Sequence, residues 1–322
     1  MNRIIKCVVA LAVVTTSHLL LTTYGFSAFK DIGFAARPTA MGGAFVAVCG
    51  DVNSALYNPA GLATVTRREL AFAYTKPYMG LENVDLSMMY LSYIHPLKIG
   101  NMGATLTSFN GGGLYTESMF QASYARQVYT DKQDMYFAGI NLKYLSHAYN
   151  WDQRTLDAAE QLNDPVVKAG SSKSAPSADI GFLAVYNRKL SIGLAARYLN
   201  QPDLGLKYED LVPMDVRLGA AYKIPYWKGM DAIIFAMDYS QRMQDWGKEA
   251  DKTNIHLGAE AWFAVHKYAL RVGGNMNEAT FGLGLNHRIG QSLTLNVDYA
   301  LIWSLKISDN IGTHRLGASV KY

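Results

Sequence analysis

The chain has 322 residues and a net charge of +4; half of it is hydrophobic, yet only 17% is charged, against about 25% in a soluble domain. Few charges and many aromatics exclude a disordered chain, and a balance so close to neutral leaves no electrostatic footprint for nucleic acid. A mean hydropathy near zero excludes a bundle of apolar membrane helices.

Residues 1–27 are expected to be a secretory signal peptide. Arg3 and Lys6 supply a positive start to the apolar run Ile4–Val14, and Gly25 and Ser27 supply small residues for cleavage near Ser27. The alternative, a membrane anchor, needs a run of roughly 20 apolar residues. Cleavage would leave Cys49 as the sole thiol, so no intrachain disulfide is expected. The next segment, 28–65, is rich in small residues and almost uncharged. Asp51 before Val52–Tyr57 is a candidate N-cap, and Asn58-Pro59 reads as a second cap with proline at the first helical position. Such a partly helical segment ahead of a barrel is expected to be a plug in the lumen; a loop at the barrel rim is the alternative.

From residue 66 the period is two. In Asn254–Val265, Ile255, Leu257, Ala259, Ala261, Phe263 and Val265 share one parity, against Asn254, His256, Gly258, Glu260 and Trp262. The same alternation recurs in about fourteen stretches, near 66–76, 86–96, 99–110, 117–128, 134–147, 177–187, 190–200, 213–223, 231–241, 253–265, 268–277, 279–288, 292–304 and 311–322. Strict alternation over 8 to 12 residues marks a strand with one apolar and one polar face. The connections sort by length: alternate links such as Leu97–Lys98, Arg188–Lys189, His266–Lys267 and Gly290–Gln291 are short, while Tyr149–Pro176, Gln201–Val212 and Arg242–Lys252 are long. Short periplasmic turns and longer extracellular loops are the pattern of a transmembrane barrel. The expected fold is all-β: a transmembrane antiparallel barrel of about 14 strands over 66–322, with both termini periplasmic.

Aromatic residues near the strand ends, among them Tyr129, Tyr186, Tyr226, Trp227, Tyr268 and Trp303, suit a lipid–water boundary. In the last strand Leu316, Ala318, Val320 and the terminal Tyr322 share one face, resembling the signal by which outer-membrane barrels reach their insertion machinery. The polar parity is expected to line the lumen with Lys143, Arg197, Arg217, Asp238, Glu260, Arg271, Asp298 and Arg315, chiefly as structural ion pairs. Lumenal glycines, Gly181, Gly193, Gly219, Gly258, Gly273, Gly282, Gly284 and Gly317, would let the plug backbone approach the wall. If His266-Lys267 sets the register, Trp262 faces Arg271 and Glu260 is a diagonal neighbour. Thr155–Leu162 carries a short helical pattern in a long loop, and Leu156, Leu162, Leu204, Leu206 and Trp246 are candidates for an apolar extracellular patch.

No motif for catalysis is present, and a serine–histidine pair on a barrel face, as in membrane phospholipases, is the one catalytic alternative the sequence leaves open. The histidines form no HExxH, no Cys/His set has zinc spacing, and Gly111-Gly112-Gly113 lacks the Lys-Ser/Thr of a phosphate loop. No cofactor and no metal are expected.

The run Ala40-Met41-Gly42-Gly43-Ala44-Phe45-Val46-Ala47, then Asp51, then Tyr57-Asn58-Pro59-Ala60-Gly61-Leu62-Ala63 resembles the start of PorV/PorQ-family outer-membrane proteins, relatives of the FadL transporters. The resemblance implies a plug motif at Gly42, Gly43, Asp51, Asn58, Pro59, Ala60 and Gly61. It also implies a non-enzymatic barrel acting in type IX secretion or outer-membrane assembly. Its partners would be outer-membrane lipid, the insertion machinery and secretion or cargo proteins. The alternative it carries is a FadL-type passive transporter of a hydrophobic ligand.

Overall fold

The computed structural model describes Phe29 and residues 33–80, 85–153, 155–157, 163–243, 251–306 and 311–322. The expected signal peptide, Leu162 and Trp246 lie outside the described residues; of Thr155–Leu162 only 155–157 is described, as helix.

Fourteen strands close into one antiparallel barrel, each paired with its neighbours in sequence and the first with the last. They are β1 (Glu69–Lys76), β2 (Leu86–His95), β3 (Asn101–Gly111), β4 (Tyr115–Asp131), β5 (Asp134–Tyr149), β6 (Ser172–Tyr186) and β7 (Leu190–Arg197). The other half is β8 (Met214–Trp227), β9 (Met230–Met243), β10 (Asp251–Phe263), β11 (Tyr268–Asn275), β12 (Glu278–Ile289), β13 (Leu293–Ser304) and β14 (Thr313–Lys321). Among the described residues they are accompanied by the short helices α1 (Ala36–Ala40), α2 (Ser54–Tyr57) and α3 (Pro165–Lys168), the helical residues 155–157 and a 3-10 helix at Pro59–Thr64.

The alternation has the sense of a barrel in lipid. In β1, Glu69, Ala71, Ala73 and Thr75 are buried, whereas Leu70, Phe72 and Tyr74 are 44–45% exposed. Leu257, Leu270, Leu283 and Phe281 are each more than half exposed, so the large apolar side chains point away from the interior. An apolar band facing outward and a polar interior is the inverse of a soluble sandwich, and it is the pattern of a membrane-spanning barrel. We predict that Leu283→Arg, in mid-β12 opposite Tyr299, will cost about 2–4 kcal/mol of stability in bilayers. Urea unfolding of lipid-reconstituted protein measures it, with the same change at exposed turn residue Gln291 as a near-neutral control.

The ends differ. Strands joined at the end where β1 begins and β14 finishes have tight turns. One is Lys228-Gly229 between the paired Trp227 and Met230, both central residues at positive φ (48° and 87°), as a type I′ hairpin requires. The β10–β11 turn corrects the register read from sequence. Phe263 pairs with Tyr268, so the turn spans four residues, and Arg271 faces Glu260 directly while Trp262 faces Ala269. Ala264, Val265 and His266 all take positive φ, and no glycine there announces the wider turn.

In the closing pair Phe72 lies opposite Ala318 and Tyr74 opposite Leu316. Leu316 and Tyr322 point outward at 59% and 48% exposure, Ala318 is exposed and Val320 half-buried. β14 is therefore hydrogen-bonded on both sides, to β13 and β1.

Candidate functional site: the filled lumen

Residues 33–65 lie inside the circle of strands and meet its wall nearly all the way round. The Ala40 carbonyl accepts from Thr280 of β12 at 3.1 Å, and the Gly42 amide donates to the same hydroxyl at 3.0 Å. The Gly42 carbonyl lies 2.8 Å from His256 Nδ1 on β10. The amides of Phe45 and Val46 both donate to one carboxylate oxygen of Asp238 on β9, at 2.7 and 2.9 Å. The Val52 amide donates to Glu69 of β1 at 3.1 Å. Further along, the Ala55 carbonyl accepts from Gln121 of β4 and Asn141 of β5, each at 3.0 Å, and the Leu56 carbonyl from Arg197 of β7 at 3.1 Å. Asn101 of β3 donates to the carbonyls of Leu62 and Val65 at 2.7 Å. A segment with this little regular structure leaves backbone polar groups that must find partners when buried. Wall side chains supply them.

Small residues make the approach possible. A Cβ at Gly139 would stand 2.5 Å from the Pro59 carbonyl carbon, and one at Gly258 2.5 Å from the Met41 carbonyl oxygen. At Gly181, Gly193, Gly273 and Gly282 it would collide with Asn58, Val46, the Met41–Gly42 peptide and Ala40, respectively. Gly317 is looser, 3.3 Å from Ala36 Cβ, while Gly219 and Gly284 make room for wall side chains, Asp238 and Arg271. Gly42 and Gly43 have φ of 66° and 82°, and Gly42 lies directly against the Gly274 backbone.

Asn58 holds three parts together. Its Oδ1 accepts the Ala60 amide at 3.0 Å and caps the 3-10 helix, while Nδ2 donates to the carbonyls of Val46 at 2.9 Å and Phe182 of β6 at 3.0 Å. Asn58→Ala would strip a cap and take a donor from the buried Val46 carbonyl and from the Phe182 carbonyl of the wall. We predict a loss of about 2 kcal/mol, read as a lower melting temperature with barrel content unchanged by circular dichroism. Asp51 does not cap α2, whose N-cap is Asn53 without a side-chain bond; it accepts the Asn53 amide at 2.9 Å instead.

Arg37 and Asp51 are the charged residues of 33–65, and they meet at 2.7 Å. Arg37 also grips Glu260 with both Nε (2.8 Å) and Nη2 (2.7 Å). Glu260 is shared with Arg271 at 2.6 Å, and Arg271 reaches Asp298 at 2.7 Å. Burial alone would lower the Arg37 pKa, but Glu260 and Asp51 outweigh it and hold the guanidinium well above its usual range. A second cluster joins Arg197 and Arg217 through Asp215, and a third pairs Lys143 with Asp179 at 2.7 Å. Arg315 donates to Thr39 and, at 2.7 Å, to Thr75. The lumenal residues read from sequence thus sort into separate clusters. Arg37, Glu69, Asn101, Gln121, Asn141, Asp215 and Thr280 are not among them, and His256 is placed only by the polar parity of its strand. Arg37 does carry a signal, as one of two cations, with Lys30, in the nearly uncharged segment 28–65.

Among the described residues a void lined by Phe34, Tyr57, Met119, Lys143, Arg197 and Tyr198 measures about 30 Å³. A larger concavity of about 980 Å³ lies on the outward face, walled by Tyr222, Phe235, Met237, Ile255, Leu257 and Phe281. Its floor at Gly258 and Gly273 is backed by Met41 and Gly42.

At the long-loop end the residues after β7 fold inward. Leu204 is fully buried in the same core as Met41, Phe45 and Tyr57, so it is not part of an exposed apolar patch; Leu206 is half-buried and Leu156 is 38% exposed. Asp203 fixes this loop. Lys173 donates to it at 2.7 Å, and the amides of Gly205 and Asp210 at 2.8 and 2.9 Å. The Lys173 bond and those two amides pull its carboxyl down to about 2. Because the folded pKa is depressed, the loop's tie is present above about pH 4 and is lost as pH falls through 2. Hydrogen exchange at the Gly205 and Asp210 amides should stay slow to pH 3; early release at pH 4 would contradict it.

The sequence matches the family model of the type IX secretion system membrane protein PorP/SprF over residues 51–320. The chain belongs to the PorP/SprF family. No curated protein matches it in sequence. Its fold is that of the FadL-like barrels, with TM-scores of 0.55–0.56 at 11% identity. The CymD monoaromatic hydrocarbon channel covers 91% of this chain and 98% of its own. The toluene transporter TodX of Pseudomonas putida covers 90% and 97%, and a FadL homologue of Pseudomonas aeruginosa 90% and 98%. This PorP/SprF member is therefore an outer-membrane β-barrel of a secretion-related family. The family match takes in Asp51 and Asn58–Gly61 and all the wall residues named above, while Arg37, Gly42 and Gly43 precede it.

Proposed function

We propose that this barrel is a non-enzymatic interaction component of type IX secretion in the outer membrane, with residues 33–65 as a fixed plug and the short turns facing the periplasm. The observation that carries this reading is the occupied lumen, in which wall side chains hold the plug backbone nearly all the way round. A passive transporter of hydrophobic solutes needs a pocket of about 300 Å³ or more between plug and wall, whereas the concavity of about 980 Å³ lies on the outward face. The neighbours named as channel and transporter share the fold, which supports that alternative at the level of architecture only. Sorting of short turns from long loops supports the orientation. A PorV/PorQ-type role in handling cargo is the finer form of the proposal, and the apolar surface for it would lie at the long-loop end around Leu156.

The test is cross-linking of the full chain in intact outer membranes, followed by purification. Secretion-system proteins attached at stoichiometric yield support the proposal. A barrel that carries no protein partner, but binds toluene or a fatty acid saturably, contradicts it.

A further inference from the structure

The turn end bears a charge pattern that the lumen does not explain. Each of the six hairpin turns there has an exposed lysine or arginine within two residues: Lys98, Lys132, Arg188, Lys228, Lys267 and Arg288. None of the six pairs with a carboxylate among the described residues. The acids of the same turns are Asp131, Asp134 and Asp231, and two of these are engaged, Asp134 by the Asn187 amide and Asp231 by the His266 amide. The cations therefore form a circle around the whole barrel. Beside them runs a band of outward aromatics, Tyr129 at 61%, Tyr226 at 71%, Trp227 at 47% and Tyr268 at 48% exposure. Cation and ring meet at two turns, Lys228 Nζ 4.7 Å from the Trp227 ring centre and Lys267 Nζ 5.3 Å from that of Tyr268.

We infer that this circle binds anionic phospholipid headgroups of the periplasmic leaflet. Aromatic rings of this exposure sit at headgroup level, which places the adjoining ammonium and guanidinium groups at the depth of the phosphates. Basic groups near a surface attract anionic lipid over about a Debye length. A single protein partner would engage one sector of the rim, whereas the cations recur at every turn. A bilayer is the partner that surrounds the barrel on all sides. The inference rests on the proposed orientation of the turns toward the periplasm.

The test uses the full chain, reconstituted in vesicles of equal phosphatidylglycerol and phosphatidylcholine and then released into detergent for native mass spectrometry. The wild type should retain phosphatidylglycerol several-fold over phosphatidylcholine, and the preference should vanish when the six residues are changed to glutamine. Heat-modifiable gel migration shows whether that variant folds. Should it not, raising salt from about 50 to 500 mM must abolish the wild-type preference by screening. Equal retention of the two lipids by the wild type overturns the inference, as does a folded variant that keeps the preference, or a wild type that retains an acidic protein in place of lipid. Labelling of Lys132→Cys by an impermeant maleimide in intact cells would instead show the turns facing outward and refute the orientation. Equal lipid retention without such labelling removes the inference alone.

Discussion

Arg37→Ala is expected to destabilise the barrel by about 3–5 kcal/mol, the range for removing one partner of a buried ion pair. Arg37 spans Asp51 within the plug and Glu260 in the wall. Its loss leaves Glu260, fully buried, to share Arg271 with Asp298, and leaves Asp51 without its cation. Arg37→Lys would rescue little, since a single ammonium cannot reproduce the two-nitrogen grip on Glu260. Urea unfolding of the reconstituted protein measures both changes. The double variant Arg37→Met/Glu260→Gln should recover part of the loss, because the cost lies in the uncompensated charge. A single variant within 1 kcal/mol of wild type would show that the network does not hold the plug.

Gly193→Val should act on the same plug from the wall side. Its side chain would occupy the place of the Val46 carbonyl oxygen and crowd Asn58 Nδ2, so the 45–58 stretch must move off the wall. Overpacking of this kind costs about 1–3 kcal/mol, and here it also breaks the Phe45 and Val46 bonds to Asp238. The readout is protease cleavage within 44–58 in folded protein, together with a conductance that the wild type lacks. Leu194→Val, one residue along on the lipid face, should show neither. Resistance to protease in the Gly193 variant would mean that plug and wall are not in the contact described here.

Why the strands could be read from sequence while the plug contacts could not has a physical cause. Lipid outside and a polar lumen inside impose a period of two on each strand, so Leu257, Gly258, Ala259 and Glu260 declare their faces one by one. The same parity places Lys143, Arg197, Arg271 and Arg315 inside. Pairing across the lumen has no such periodicity: Arg37 and Glu260 are separated by 223 positions. Thr280 and Asn101 are not singled out by the sequence, and His256 is placed only by its parity, because they serve backbone groups of the plug, and a backbone carbonyl has no sequence signature. The β10–β11 register was missed because Ala264, Val265 and His266 take left-handed conformations usually signalled by glycine or asparagine. Leu204 looked like a loop surface residue and is instead drawn into the plug's own core.

Planar-bilayer recording of the intact chain beside a form lacking residues 40–63 bears most directly on the claim that this is a closed barrel whose work is done by its surfaces. The plug's removal takes away the backbone that lies against Gly139, Gly193, Gly258 and Gly273 and leaves β1–β14 and the Leu316–Tyr322 face untouched. The intact protein should show no steady conductance, and the deleted form should open a stable pore. An intact protein that already conducts as an open pore would contradict the account.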